Sequence, residues 1–143
     1  MASRRISKHR GLAAVEFLIT LPALLLILTG IVEFGNAFIK YSTLSKLVQN
    51  GSRYAVTDIY GTSNSDQIAD EANIKNMVVY GNKSGSGNSL LDTLTVDDVV
   101  ITHADKYVVV SATYTYVPIL NIIPQDYLSN LKMSSSALMR TTL

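Results

Sequence analysis

The chain has 143 residues, enough for one modest domain and too few for a large enzyme fold once the long apolar run near its start is set aside. Hydrophobic residues make up 48% and charged residues 16%, against roughly a quarter charged in an ordinary soluble domain, so part of the chain is built for lipid. The formal charge is +1, but Arg4, Arg5, Lys8 and Arg10 all precede the first acidic residue, Glu16, leaving eight basic against eleven acidic residues beyond them. Those later cations are scattered among aspartates, which argues against a nucleic-acid partner. With no cysteine, disulfides, thiolate zinc sites and cysteine nucleophiles are excluded.

Residues 1–11, MASRRISKHRG, read as a basic leader ending in glycine. Residues 12–39 form an apolar helix whose uncharged stretch between Glu16 and Glu33 is 16 residues, or about 24 Å at helical rise. That falls slightly short of the roughly 30 Å hydrocarbon core, so a lone span needs flanking residues, local thinning or company. The one-sided basic cluster predicts a cytoplasmic N-terminus and an outer remainder. A cleaved secretory signal fits poorly, because the core is long, carries Glu16 and Glu33, and ends without an A-x-A site. A generic anchor leaves Glu16 unexplained, since a carboxylate in an apolar helix is costly without a partner. Glu16 is therefore a functional candidate, with snorkelling to the headgroups as the plain alternative, whereas Glu33 reads as an interfacial surface residue. Pro22 removes a backbone donor inside the run and predicts a helix kink. Gly30 and Gly35 allow flexibility or close helix approach.

Beyond the span, Tyr41, Leu44, Leu47, Val48, Gly51, Tyr54 and Ala55 keep helical spacing, so the helix runs on into an outer domain over 40–143. Polar residues 61–66 break it, and Ser65 is placed to cap a second helix beginning at Asp66 and ending at Gly81. Residues 82–89, NKSGSGNS, read as an exposed flexible loop that lacks phosphate-loop spacing. Residues 95–102 and 107–117 read as a hairpin turning at 103–106, and a third strand follows near 132–139 after a proline-bracketed loop. The expected fold class is α+β: a long N-terminal helix packed on a small antiparallel sheet. His103, in the expected turn, offers no triad, and Asp92, Asp97, Asp98 and Asp105 do not follow EF-hand spacing, so no catalytic residue, cofactor or metal is expected. Tyr107, Tyr114 and Tyr116 read as packing residues with a wet face.

Taken together, Gly11, the LAAVEF run after it and the longer stretch RGLAAVEFLITLPALLLILTGIVEFGNAF are similar to the N-terminal signature of the TadE-like family of tight-adherence (Flp, type IVc) pilus systems. NGSRYAV, NMVVYGN, YTYVPI and SSSALMR resemble its later blocks. The resemblance implies a non-enzymatic minor pilin or pseudopilin of the bacterial inner membrane. A prepilin peptidase would cut between Gly11 and Leu12, with Glu16 and Phe17 in the processing and assembly motif. Its partners would be that peptidase, other pilins, assembly-platform proteins and membrane lipid. The carboxylate of Glu16 would face the freed amino group of Leu12 on a neighbouring subunit. The chain departs from the major Flp pilin, which is much shorter, and from type II pseudopilins, which carry an early threonine absent here. The alternative is a monomeric anchored domain that binds an extracytoplasmic ligand or acts as a sensor.

Overall fold

A computed structural model describes residues 9–58, 68–120 and 131–141. Its elements, in chain order, are helix α1 (His9–Thr57), helix α2 (Glu71–Tyr80), a 3-10 turn (Val96–Asp98) and strands β1 (Val99–Ala104), β2 (Tyr107–Thr115) and β3 (Lys132–Arg140). The fold is α+β, with a three-stranded antiparallel sheet in the order β1-β2-β3. Contacts divide the chain into two units, Met1–Gly35 and Asn36–Leu143.

The first unit contributes the apolar part of α1. Leu12, Phe17, Leu18, Ile19, Leu24, Leu25, Leu26, Ile27, Leu28 and Ile31 are all exposed. Such a helix is stable in water only if something apolar covers it. Glu33 departs from the surface position expected of it: it is buried, 8% exposed, and has an interaction partner.

The second unit holds the core. On its part of α1, Leu44, Leu47, Val48, Gly51 and Ala55 are buried at helical spacing, as the periodicity predicts, with Ser52 beside them; Tyr54 is half-buried and Tyr41, expected on the same stripe, is exposed. Leu44, Leu47, Val48 and Ala55 meet Ile74, Val78 and Val79 of α2 and the inner sheet residues Val99, Val108, Val110, Ala112 and Tyr114 in one cluster. Register sets the inner face in rungs: Ile101, Val110 and Ala137 form one, and Ala112 and Ser135 share another. Small side chains at these rungs let α1 approach β3, where Ser45 Oγ and Ser135 Oγ lie 3.1 Å apart.

Local chemistry moves several boundaries from their expected places. Helix α2 starts at Glu71 because the Asp70 side chain caps it, accepting from the backbone N–H of Ala72 and Asn73. Ile68 and Ala69 are buried outside the helix, and Ser65 and Asp66 fall outside the described residues. The C-terminal end is as expected, with Gly81 in the left-handed region at φ 72°. The first strand begins at Val99, since the Asp98 carboxylate accepts from Thr95 N and Thr95 Oγ1 and winds residues 96–98 into a turn. The hairpin turn is only Asp105 and Lys106. Asp105 takes φ 51°, which aspartate tolerates, so His103 and Ala104 stay in the ladder and His103 sits half-buried on the inner face.

The loop after α2 is tied down, in contrast to the flexible segment expected there. Asn82 Nδ2 donates to the carbonyls of Tyr80 and Ser86, while its Oδ1 accepts from Ser84 Oγ and Ser86 N. Asn76 adds a bond to the Lys83 carbonyl. One side-chain amide thereby supplies the pairing that a backbone turn would otherwise provide.

Candidate processing and assembly site

Gly11, Leu12, Glu16 and Phe17 lie in the first turns of α1, where the site is a helix surface with no cavity of its own. Leu12 and Glu16 are four residues apart and so share a face, and both are exposed, as is Phe17. A Cβ built on Gly11 would meet nothing within 4 Å, so packing inside this chain does not demand glycine there. Gly30 and Gly35 are equally open. The hydroxyls in the apolar run are satisfied locally: Thr20 Oγ1 donates to the carbonyls of Glu16 and Phe17, and Thr29 Oγ1 to that of Leu25. The helix continues through Pro22, whose missing N–H leaves the Leu18 carbonyl without its usual donor. By length and composition α1 can cross a membrane, and none of its apolar window is buried.

In the second unit, polar contacts besides the Ser45–Ser135 pair join α1 to distant residues or brace its end. Asn36 Nδ2 donates to the Tyr116 hydroxyl at 2.8 Å, Lys40 Nζ pairs with Asp92 at 3.0 Å, and the Tyr54 hydroxyl donates to the Asp58 carboxylate. That last bond, then burial and the charges of Asp58 and Asp70, hold the Tyr54 pKa up to about 12. The Lys40–Asp92 pair is solvated, with Asp92 largely exposed, and adds little to stability. Asn36 was missed by sequence reasoning, although a lone amide within the apolar stretch is a signal that a partner is needed.

The other chemistry-bearing residues do not converge. His103 Nε2 and the Tyr114 hydroxyl are buried without hydrogen-bond partners, and among the described residues no nucleophile is bonded to the histidine nitrogen. Asp98 serves the 3-10 turn and Asp92 the lysine pair, and among the described residues no group of three potential ligands could hold a metal. An open depression bordered by Tyr80, Asn88, Asp92 and Thr95 has no buried, convergent polar groups to fix a small ligand.

A family model described as "TadE-like protein" matches residues 11–53. Over these residues the chain is similar to TadE-like proteins. The matched segment runs from the glycine before the apolar helix to Arg53, one turn short of the end of α1, and so takes in the exposed apolar length and the core-facing stripe as far as Ser52. No curated protein and no solved structure matches the chain. The helix that carries this similarity is, by length and composition, one that could lie in a membrane.

Proposed function

We propose that the protein is a minor pilin or pseudopilin of a tight-adherence pilus, held in the bacterial inner membrane with residues 1–11 cytoplasmic and the outer domain extracytoplasmic. The observation that carries this reading is the coincidence of the TadE-like segment with a helix whose apolar surface is exposed along its length and bears Glu16 near its start. A prepilin peptidase cuts after Gly11 and frees the amino group of Leu12. The open space around Gly11 supports an external reason for glycine there, because a peptidase subsite can demand a small residue where the chain itself does not. Gly30 and Gly35, open in the same way, suit close packing against helices of other pilins. Pro22 lets the helix kink or open locally during packing. The outer domain performs no catalysis, and the protein works through helix assembly with pilins and the assembly platform.

In a bundle of staggered parallel helices the Glu16 carboxylate faces the Leu12 amino group of a neighbour. Removing one member of such a buried pair costs about 3–5 kcal/mol, because the other charge is left uncompensated. The test compares subunit abundance, the mature N-terminus by mass spectrometry, and pilus yield between wild type and Glu16→Ala. The expected outcome is a chain starting at Leu12, unchanged abundance and lost assembly. An intact Met1 terminus in cells with active prepilin peptidase, or full assembly by Glu16→Ala, refutes the reading.

A further inference from the structure

Apart from the assembly helix, a second group of exposed apolar side chains takes no part in the core: Val117 and Ile119 after β2, and Leu131 before β3. Two hydrogen bonds fix where they stand. Tyr116 N donates to the Leu131 carbonyl at 2.9 Å, carrying the β2–β3 ladder one step past the Thr115↔Lys132 pair. The Tyr116 hydroxyl accepts from Asn36 Nδ2. Asn36 is the first residue of the outer unit, so this edge lies at the level where α1 enters that unit, near the exposed side chains of Phe38 and Ile39.

The charge pattern identifies an occupant. Lys40 follows Ile39 and Lys132 follows Leu131, so each apolar edge is succeeded by a cation, and the exposed Tyr41 supplies an amphipathic ring next to Lys40. Apolar tips followed by lysines and a tyrosine match the passage from acyl chains to headgroups and water. The depth agrees. The uncharged run ends at Val32, and Asn36 stands four residues later, or about 6 Å along a helix, inside a headgroup layer of about 5–8 Å.

We propose that Val117, Ile119 and Leu131 form a second membrane contact, seated in the headgroup layer of the outer leaflet and holding the outer domain against the bilayer before assembly. The inference rests on the reading of α1 as a membrane anchor. It gives the Asn36–Tyr116 bond a purpose, since that bond ties the contacting edge to the helix that sets its depth.

Because the chain has no cysteine, single cysteines can be placed cleanly in the full-length protein. Leu25→Cys, Val117→Cys, Ile119→Cys, Leu131→Cys and Leu138→Cys would each carry an environment-sensitive fluorophore. The proteins would be reconstituted singly in nanodiscs of phosphatidylethanolamine and phosphatidylglycerol containing nitroxide-labelled lipids. Ile119 and Leu138 are matched in exposure, 62% and 61%. Leu138 pairs with Val109, seven residues before Tyr116 on the same strand path, or about 23 Å away. Headgroup and shallow-chain nitroxides are expected to quench positions 117, 119 and 131 while leaving 138 at its lipid-free level, with position 25 quenched by deep nitroxides. Quenching at 25 with 119 no stronger than 138 overturns the second contact alone. Lack of quenching at 25 overturns the anchor reading with it. Shielding of 119 that arises only in crowded vesicles, with crosslinks between chains, assigns the edge to a second copy and also overturns the proposal.

Discussion

Gly51 lies on the buried face of α1 where α2 packs, and a Cβ built there would stand 2.3 Å from Val78 Cγ2, well inside any real carbon–carbon contact. Val78 is fully buried, and a valine in a helix has essentially one χ1 rotamer, so its methyl has nowhere to turn. Gly51→Ala must therefore push the helices apart or force Val78 off its rotamer, an overpacking cost of about 1–3 kcal/mol. Alanine in a helix interior returns about 1 kcal/mol relative to glycine. The expected net effect is a loss of up to about 2 kcal/mol, the opposite sign from a glycine that is merely exposed. Val78→Ala alone removes two buried methyl groups and should cost about 1–3 kcal/mol. In the double variant the new methyl occupies part of the space vacated, so the two changes should couple favourably by about 0.5–3 kcal/mol. The assay is urea unfolding of the full chain in detergent micelles. It would be followed by near-ultraviolet circular dichroism of the buried tyrosines, since the chain has no tryptophan. A stabilised Gly51→Ala together with additive behaviour in the double variant would show that the close approach of α1 and α2 is wrong.

Alkaline stability should report the Tyr54–Asp58 bond. The folded pKa, about 12, lies above the ordinary 10.0, so the bond's contribution is whole below pH 10 and lost as pH rises through about 12. Wild type should lose stability faster than Tyr54→Phe across that window, and parallel pH profiles would count against the bond. At the start of α2, Asp70→Ala should cost about 0.5–2 kcal/mol and Asp70→Asn much less, because the amide oxygen can still accept from the backbone. Equal melting temperatures for the two variants would mean that the cap is idle.

What was legible in the sequence was periodic. The stripe from Leu44 to Ala55, the valine-rich hairpin and the strand through Ser134, Ser135 and Ser136 all repeat at the spacing of their element, and each lies where that spacing puts it. The misplaced boundaries share a different cause. Asp70, Asn82 and Asp98 each redirect the backbone through one side chain, and such a choice depends on angles that composition does not reveal. Gly11, Leu12, Glu16 and Phe17 stand out in the sequence because a charge and a glycine interrupt or border an apolar run, and all four are exposed at the start of α1. Asn36 and Tyr116 are 80 residues apart and leave no local trace of their hydrogen bond.

The amide of Asn82 has an evolutionary consequence. The Asn82 side chain, helped by Asn76 and the positive-φ glycines Gly85 and Gly87, holds the loop in shape, and the exposed Lys83 and Asn88 carry none of the hydrogen bonds that fix it through their own side chains. Drift at those two positions can alter the chemistry that the loop presents to solvent while the frame beneath it stays constant. Among sequences that share this loop, variation should accumulate at Lys83 and Asn88 before it reaches Asn82.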